Sequence, residues 1–535
     1  MKKIILSFSI LTMMLTSSCS DYLEESAKHS ESPDSFYTSE VGYNSLMAAA
    51  YTQLRNIYGQ EPYLFCSGTD LYADGKSNGP VGLTSYTALA AGSENIYELY
   101  EAGFKAIRVF NTALHYNALT SQTSDIDAKR GEVLFLRALT YFTLVQTYGG
   151  VPLIDQYVEV PGFAYSRESA ETIYTQILED LETANTLVPS GSFNGKVTKR
   201  AVTHLLSKVH LTRAYEDFAA SNDFANAAKY ADETIAGESL TIPFDELWDP
   251  SNDLNDETIF SVQYDATSIA DDPNNNGNQQ QNFFGPYMGG AEIAGDFPWR
   301  AERLVVTKRA YDLFEQNDAR FTATFMPEIY ERYYDFYDVA DKSQLQVLHY
   351  YARTPADTIG YRANNPKVTF HMYPDIFAGN GVNEDFGTIP VKKFDDPTSP
   401  FSLGNGTSTR DIVLARLAES YLIAAEAYLN SNPSLGLERL NEVRKRAGVA
   451  PATAAEFDID YILEERGREL MGEYHRWFDL KRTGKLVDYA SVYNFQVDAG
   501  NFVGKDGVLK ILRPIPQEVL DLNQNKDFKQ NPAYQ

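Results

Sequence analysis

The sequence predicts an all-α, mostly helical chain in which helix pairs form a scaffold carrying long irregular loops and a few short strands. Three observations support that expectation. From Phe36 onward, apolar residues recur at helical spacing through the first half, and they do so again near the C-terminus. Small residues, chiefly Ala, recur where two helices must approach closely. Between these regions lies a stretch rich in Tyr, Asp, Pro and Gly with no sustained period. Long aperiodic stretches inside a compact protein are functional loops or disordered segments. The aromatic content of this one favours ordered loops.

The first segment stands outside the fold. Lys2 and Lys3 precede a run of mostly apolar residues, Ile4 to Leu15, which is followed by Thr16, Ser17, Ser18 and Cys19. That is the layout of a secretory leader over 1–18, too short to span a membrane stably. A thiol can be alkylated by a diacylglycerol, and the segment resembles a bacterial lipobox. It departs from the pattern at Thr16, where Leu is favoured, with Leu15 one place earlier. In the tether over 19–35, Asp21, Glu24 and Glu25 look like the acidic export tag of surface lipoproteins in Bacteroidetes-type bacteria. A triacylated Cys19 would bury enough methylenes, at about 0.8 kcal/mol each, to hold the chain on a membrane face.

The scaffold helices come next. "VLFLRALTYFTLVQTYGG", Val133 to Gly150, is apolar around much of its circumference and stops at a Gly pair with Pro152 behind it. Ile173, Ile177, Leu181 and Leu187 fall close to helical spacing before Pro189. "TKRAVTHLLSKVHLTRAYEDF" and "NAAKYADETIAG" predict an antiparallel pair with Ala227, Ala228 and Ala231 at the close approach. Ala415 to Gly448 repeats the design over about 34 residues, and such pairs resemble tetratricopeptide repeats. The expected organisation is one globular unit over 36–535. It comprises helical repeats over 36–264, a loop-rich ligand-side part over 265–410 and a helical part over 411–535.

Composition and failed motifs narrow the function. Net charge is −27, from 46 basic and 73 acidic residues, which disfavours nucleic acid and anionic lipid as partners. The lipid anchor is then the expected membrane attachment. Cys66 is the single thiol left after Cys19, which excludes an internal disulfide and a Cys-based zinc site. "DPNNNGNQQQNF" from Asp272 mimics an EF-hand, but Phe283 stands where the bidentate Glu is needed. His204 and His210 are six apart, off a common helical face, and no HExxH, GxSxG or P-loop occurs. No catalytic residue, metal or cofactor is expected. A carboxylate pair for glycoside hydrolysis cannot be judged from spacing among 73 acids, so a surface hydrolase stays as a minor alternative.

The most specific stretch is "ILEERGRELMGEYHRWFDLKRTGKL", Ile462 to Leu486. Leu463, Gly467, Leu470, Met471 and Tyr474 share one helical face that Trp477 and Phe478 extend. Glu464 and Arg468 lie four apart in the favourable order. The residues predict a packed helix with a charged outer face. As a pattern, the stretch is similar to the signature of the SusD/RagB family of outer-membrane nutrient-binding lipoproteins. "RALTYFTLVQTYGGVPL", "RLAESYLIAAEAYLN" and "RPIPQEVLDLNQNKDFKQNPAY" resemble family segments in the expected order. The resemblance implies four tetratricopeptide-like helix pairs, no catalysis and a cell-surface, outer-membrane location. It also implies a SusC-like TonB-dependent outer-membrane barrel as partner, an oligosaccharide as the usual ligand and a peptide in some members.

Sugars pack their C–H faces on aromatic rings while their hydroxyls seek Asn, Asp or Arg, much as bases stack at roughly 1–3 kcal/mol per contact. Two loop-like stretches combine those groups. One supplies Asp70, Tyr72, Asn78 and Tyr86; the other supplies Phe283, Tyr287, Trp299 and Arg300. The family resemblance places the pocket in loops of these two regions. Trp299 leads the set, because no helical stripe claims it and it adjoins Arg300.

Overall fold

The computed structural model describes residues 32–535 apart from 78, 121–124, 161, 287, 289–292, 299, 301–302, 373–383 and 402–405. The long helices are α1 (Glu40–Tyr58), α2 (Ile96–Asn117), α3 (Ile126–Tyr148), α4 (Ala170–Leu187), α5 (Lys199–Arg213) and α6 (Asp223–Ile235). After the loop-rich part come α7 (Leu417–Ala427), α8 (Pro433–Arg446), α9 (Ile459–Glu469), α10 (Arg476–Arg482) and α11 (Leu486–Tyr493). Several begin on side chains suited to capping the first free N–H groups. Ser39 accepts from Gly42 N at 3.1 Å, Ser169 from Thr172 N at 3.1 Å and Asp458 from Tyr461 N at 2.8 Å.

Each helix from α1 to α7 packs on its successor, and α7 also receives α8 and α9. α3 is apolar nearly all round, and a helix of that kind belongs inside. Its residues from Val133 to Tyr148 are buried except Leu139. Buried Arg137 on α3 grips Asp180 on α4 through two bonds of 2.7 Å. The small face of α6 behaves as its sequence suggests. Ala227, Ala228 and Ala231 are buried against Ile423, Ala424 and Ala427 of α7. Successive helices of one stack are thus separated by residues 236–416.

Strand pairing closes that insertion at its base. β2 (Thr258–Val262) leads into it and pairs antiparallel with β7 (Ile412–Arg416), which leads directly back into α7. β3 (Val305–Val306), inside it, pairs with β1 (Tyr72–Ala73), which lies between α1 and α2. β4 (Glu328–Tyr330) runs antiparallel to β5 (Val347–Ala352), and β6 (Thr369–Met372) parallel to it. The aperiodic region is therefore ordered loops with short strands.

The signature stretch departs from expectation in two ways. It is two helices, α9 and α10, separated by a turn in which Gly472 has φ +79° and Tyr474 φ +68°. A Cβ on Gly472 would lie 2.3 Å from the Phe394 ring, so glycine is required on both steric and conformational grounds. The second departure concerns the charges, which point inward. Glu465, Arg466, Arg468, Glu469, Glu473, Arg476, Asp479 and Arg482 are all buried. Amphipathic reading fails here because every one of these charges except Arg468, which pairs within its own helix, meets an opposite charge from another element.

Glu469 sits at the centre, accepting from Arg320 at 3.0 Å, from Arg416 and from Arg446. Glu465 takes Arg320 at 2.6 Å, Arg468 at 2.7 Å and Arg444 at 2.9 Å. Glu473 takes Arg416 at 2.7 Å and Lys393 at 2.6 Å. Asp479 joins Arg466 at 2.7 Å to Arg482 at 3.0 Å, and Arg466 reaches Glu419 on α7 at 3.3 Å. Burial alone would raise the Glu469 carboxyl, but Arg446, Arg416 and Arg320 outweigh it and hold the group well below the usual carboxylate range. Burial pushes the Lys393 ammonium down to about 8, with Glu473 opposing. Buried His475 is pushed down to about 3 and is neutral.

Removing one partner of such a set strands the others without water. Glu469→Gln is expected to cost about 3–5 kcal/mol, read as a fall in melting temperature. A melting temperature within a degree of wild type would contradict the network's role.

Candidate functional site

The two candidate loop stretches are neighbours in space. β1 lies in the first, and β3 follows the second, with Tyr72 opposite Val306 and Ala73 opposite Val305. Thr307 N donates to Leu71 O at 3.0 Å, and Gly285 N to Leu304 O at 2.9 Å. These bonds make one loop face from segments more than two hundred residues apart.

Five of the eight candidate residues lie beneath that face, with their side chains spent on holding it. Asp70 is fully buried and accepts Arg476 of α10 through bonds of 2.8 and 2.6 Å. The Tyr72 hydroxyl accepts from Gly472 N at 2.6 Å, and its ring leans on Phe284 at 5.5 Å. The Tyr86 hydroxyl donates to Gly68 O at 3.0 Å and accepts from Trp477 Nε1 at 3.1 Å. Phe283 is buried edge-on to Tyr63 at 5.6 Å. Arg300, 1% exposed, donates to Gln281 O and Phe284 O at 2.7 Å each and to Asp395 at 2.7 Å. Asp395 also accepts from Tyr333 at 2.6 Å and Tyr337 at 3.0 Å.

This corrects the sequence reading in its placement of Asp70, Tyr72, Tyr86, Phe283 and Arg300: polar and aromatic groups in loop context serve the interior here. The loops lack regular backbone pairing, so side chains supply the missing partners. Asn78, Tyr287 and Trp299 lie outside the described residues, as do Cys19, Asp21, Glu24 and Glu25. Of the other tryptophans, Trp477 is buried in α10 as the helix pattern implied, and Trp248 is buried edge-on to Phe394 at 5.7 Å.

The exposed polar groups of the face are ones the sequence reading passed over. Lys76 pairs with Asp385, with both side chains more than two-fifths exposed. Arg303, one-third exposed, lies 3.5 Å from Glu61 and donates to the Tyr63 hydroxyl at 3.3 Å. Asp296 and Arg332 are exposed, and Ala294 N donates to Glu331 O at 2.7 Å, fixing the 293–297 segment beside β4. The signal for Lys76 was present: Asp74-Gly75 is a turn dipeptide, and turn-tip side chains face outward. Arg303, Glu61 and Asp385 carry no such mark.

Asp74 sits just below this rim, 6% exposed, its backbone held by Gln496 through bonds of 2.7 and 3.1 Å. Burial pushes its carboxyl up to about 6. The face therefore offers carboxylate, ammonium and guanidinium groups on a frame fixed from below. Such a surface can hydrogen-bond a polyhydroxylated ligand. Among the described residues, no group of three or more His, Cys, Asp or Glu could hold a metal.

Comparison with known proteins follows this geometry. The model of the SusD family matches residues 256–534. The chain belongs to the SusD family. A second model, described as starch-binding associating with outer membrane, matches residues 21–211. SusD-like protein P25 of Formosa agariphila is 24% identical, over 95% of this chain and 94% of its own length. Among solved structures, a laminarin-binding SusD-like protein is 24% identical with a TM-score of 0.69. It covers 93% of this chain and 100% of its own. Surface glycan-binding protein A from Bacteroides thetaiotaomicron, in complex with laminarihexaose, is 20% identical with the same TM-score, covering 92% and 100%. This SusD-family chain thus shares its helical fold with those structures. Among its described residues no helix is long and apolar enough to cross a membrane.

The Asp74 carboxyl gives a pH test. Its folded pKa lies above its unfolded value, so the stability it contributes is full below about pH 4 and is lost as pH rises through 6. Asp74→Asn should raise the melting temperature at pH 7.5, by on the order of 1–2 kcal/mol of stability, and change it little at pH 4.5. The reverse ordering would contradict the assignment.

Proposed function

We propose that this chain is a glycan-binding lipoprotein of the cell surface, anchored through Cys19, which captures oligosaccharides and hands them to a SusC-like TonB-dependent barrel. The reading rests first on family membership, and the description of the second matching model, starch-binding associating with outer membrane, agrees with it. The single observation that carries it is the loop face. Exposed polar groups there stand on a buried frame, in a fold shared with a laminarin-binding protein and a laminarihexaose complex. The acidic residues Asp21, Glu24 and Glu25 would direct export of the anchored chain.

The face is built for binding rather than turnover. Two of its exposed basic groups are paired with carboxylates, Lys76 with Asp385 and Arg303 with Glu61. The ligand contacts proposed are Trp299, Tyr287 and Asn78, with Lys76, Asp296 and Arg303 around them. Phe284 and Arg300 are anchored within the segments that carry the two aromatic residues, so a ring placed there would be held at low entropic cost. The proposed domain division keeps the ligand side in 265–410 together with the 70–86 loop.

Calorimetry with laminarihexaose and with malto-oligosaccharides tests the proposal, alongside an assay for new reducing ends. Saturable binding of at least one glycan without turnover is expected. Trp299→Ala should weaken it roughly 5- to 160-fold, the equivalent of about 1–3 kcal/mol, with an unchanged melting temperature. Sustained release of reducing ends would overturn the reading. Unchanged affinity in Trp299→Ala and Tyr287→Ala would move the site.

A further inference from the structure

A concave surface lies along α2, lined by none of the residues of the loop face. Tyr100, Phe104, Ile107, Arg108 and Asn111 follow one another along a single stripe of that helix and line a groove of about 360 Å³. The opposite wall comes from the strap after α3, including Phe163, and from the C-terminal segment, including Leu522 and Phe528. Phe163 is 64% exposed and Leu522 73%. Large apolar groups standing this far into solvent beside a groove mark a binding surface.

The shape restricts the occupant. Tyr100 to Asn111 is eleven steps of 1.5 Å, so the stripe is about 16 Å long. A groove of about 360 Å³ and that length accommodates one extended hydrocarbon chain.

The polar chemistry agrees. Asn111 spends its amide on Ile154 O at 2.8 Å and its carbonyl on Arg137 at 2.8 Å. Asn523 is closed onto the Tyr165 backbone at 3.2 and 3.0 Å. An extended peptide in the groove would find these groups taken, and unpaired backbone amides against apolar walls are costly. One turn before the Asn111 end of the stripe Arg108 is exposed, with no acidic partner among the described residues. The pattern is that of a small-ligand site: apolar walls and one polar group that fixes orientation.

We propose that this groove binds a long-chain carboxylate, its hydrocarbon chain lying along α2 and its carboxylate paired with Arg108. The site is independent of the glycan reading, since it shares no residue with the loop face.

Titration calorimetry of the full-length mature protein with sodium dodecanoate, below its micelle concentration, tests it. One chain per protein is expected, with a micromolar Kd. Dodecyltrimethylammonium should bind at least tenfold more weakly. Arg108→Gln should erase most of that preference for the anion. Leu522→Glu and Phe163→Asp change exposed side chains, so melting temperatures should hold while dodecanoate affinity falls at least tenfold. No saturable heat up to millimolar dodecanoate would overturn the proposal, as would equal affinity in wild type, Leu522→Glu and Phe163→Asp. A concentration-dependent dimer that Leu522→Glu dissolves would assign the groove to a second copy of this chain instead.

Discussion

Buried charge holds this molecule together at the place where its two kinds of structure meet. The helical stack needs little beyond apolar stripes and alanines. The insertion over 236–416 has short strands, long loops and a shortage of regular backbone pairing. What joins them is the cluster around Glu469 and Glu465, where Arg320 from the insertion, Arg416 from its closing strand, and Arg444 and Arg446 from α8 converge on α9. Each charge taken from water costs several kcal/mol, and only a nearly complete set of partners recovers that cost. The fold is therefore intolerant of losing single members, and the segment that supplies most of the carboxylates is the chain's most specific motif.

The loop face inherits its rigidity from that cluster. The turn after α9 presents Gly472 N to Tyr72, and α10 presents Arg476 to Asp70, so the first strand of the face is tied to the motif by three bonds. Arg300 and Asp395 tie the second segment in the same manner, with Tyr333 and Tyr337 closing the carboxylate. A surface prepared in this way loses little entropy when it orders around a ligand.

Much of the fold was legible because helices advertise themselves. The all-round apolar character of Val133 to Tyr148 announced a buried helix, and Ala227, Ala228 and Ala231 announced a close helix approach. The 462–486 motif is legible in the sequence, but the burial of its charges is not. Hydropathy treats Glu465 and Glu469 as solvent-facing, whereas their partners Arg320, Arg416 and Arg444 lie on other elements and are invisible to a local pattern. The same limit governed the candidate site. Asp70 and Tyr72 have the right chemistry for a sugar, yet the partners that claim them, Arg476 and Gly472, lie four hundred residues away. Lys76 could have been chosen from its turn, whereas Arg303 and Asp385 depend on tertiary neighbours that one sequence does not disclose.

The charge cluster fixes the loop face through the 469–476 segment. Amide hydrogen exchange, read by mass spectrometry on wild type and Arg416→Lys, tests it most directly, since lysine keeps the charge and loses the fork that joins Glu469 to Glu473. The account predicts exchange at least tenfold faster in peptides covering 69–75 and 304–307 as well as 412–416, with α2 to α4 unchanged. Faster exchange confined to 412–416, or spread evenly over the whole chain, would contradict it.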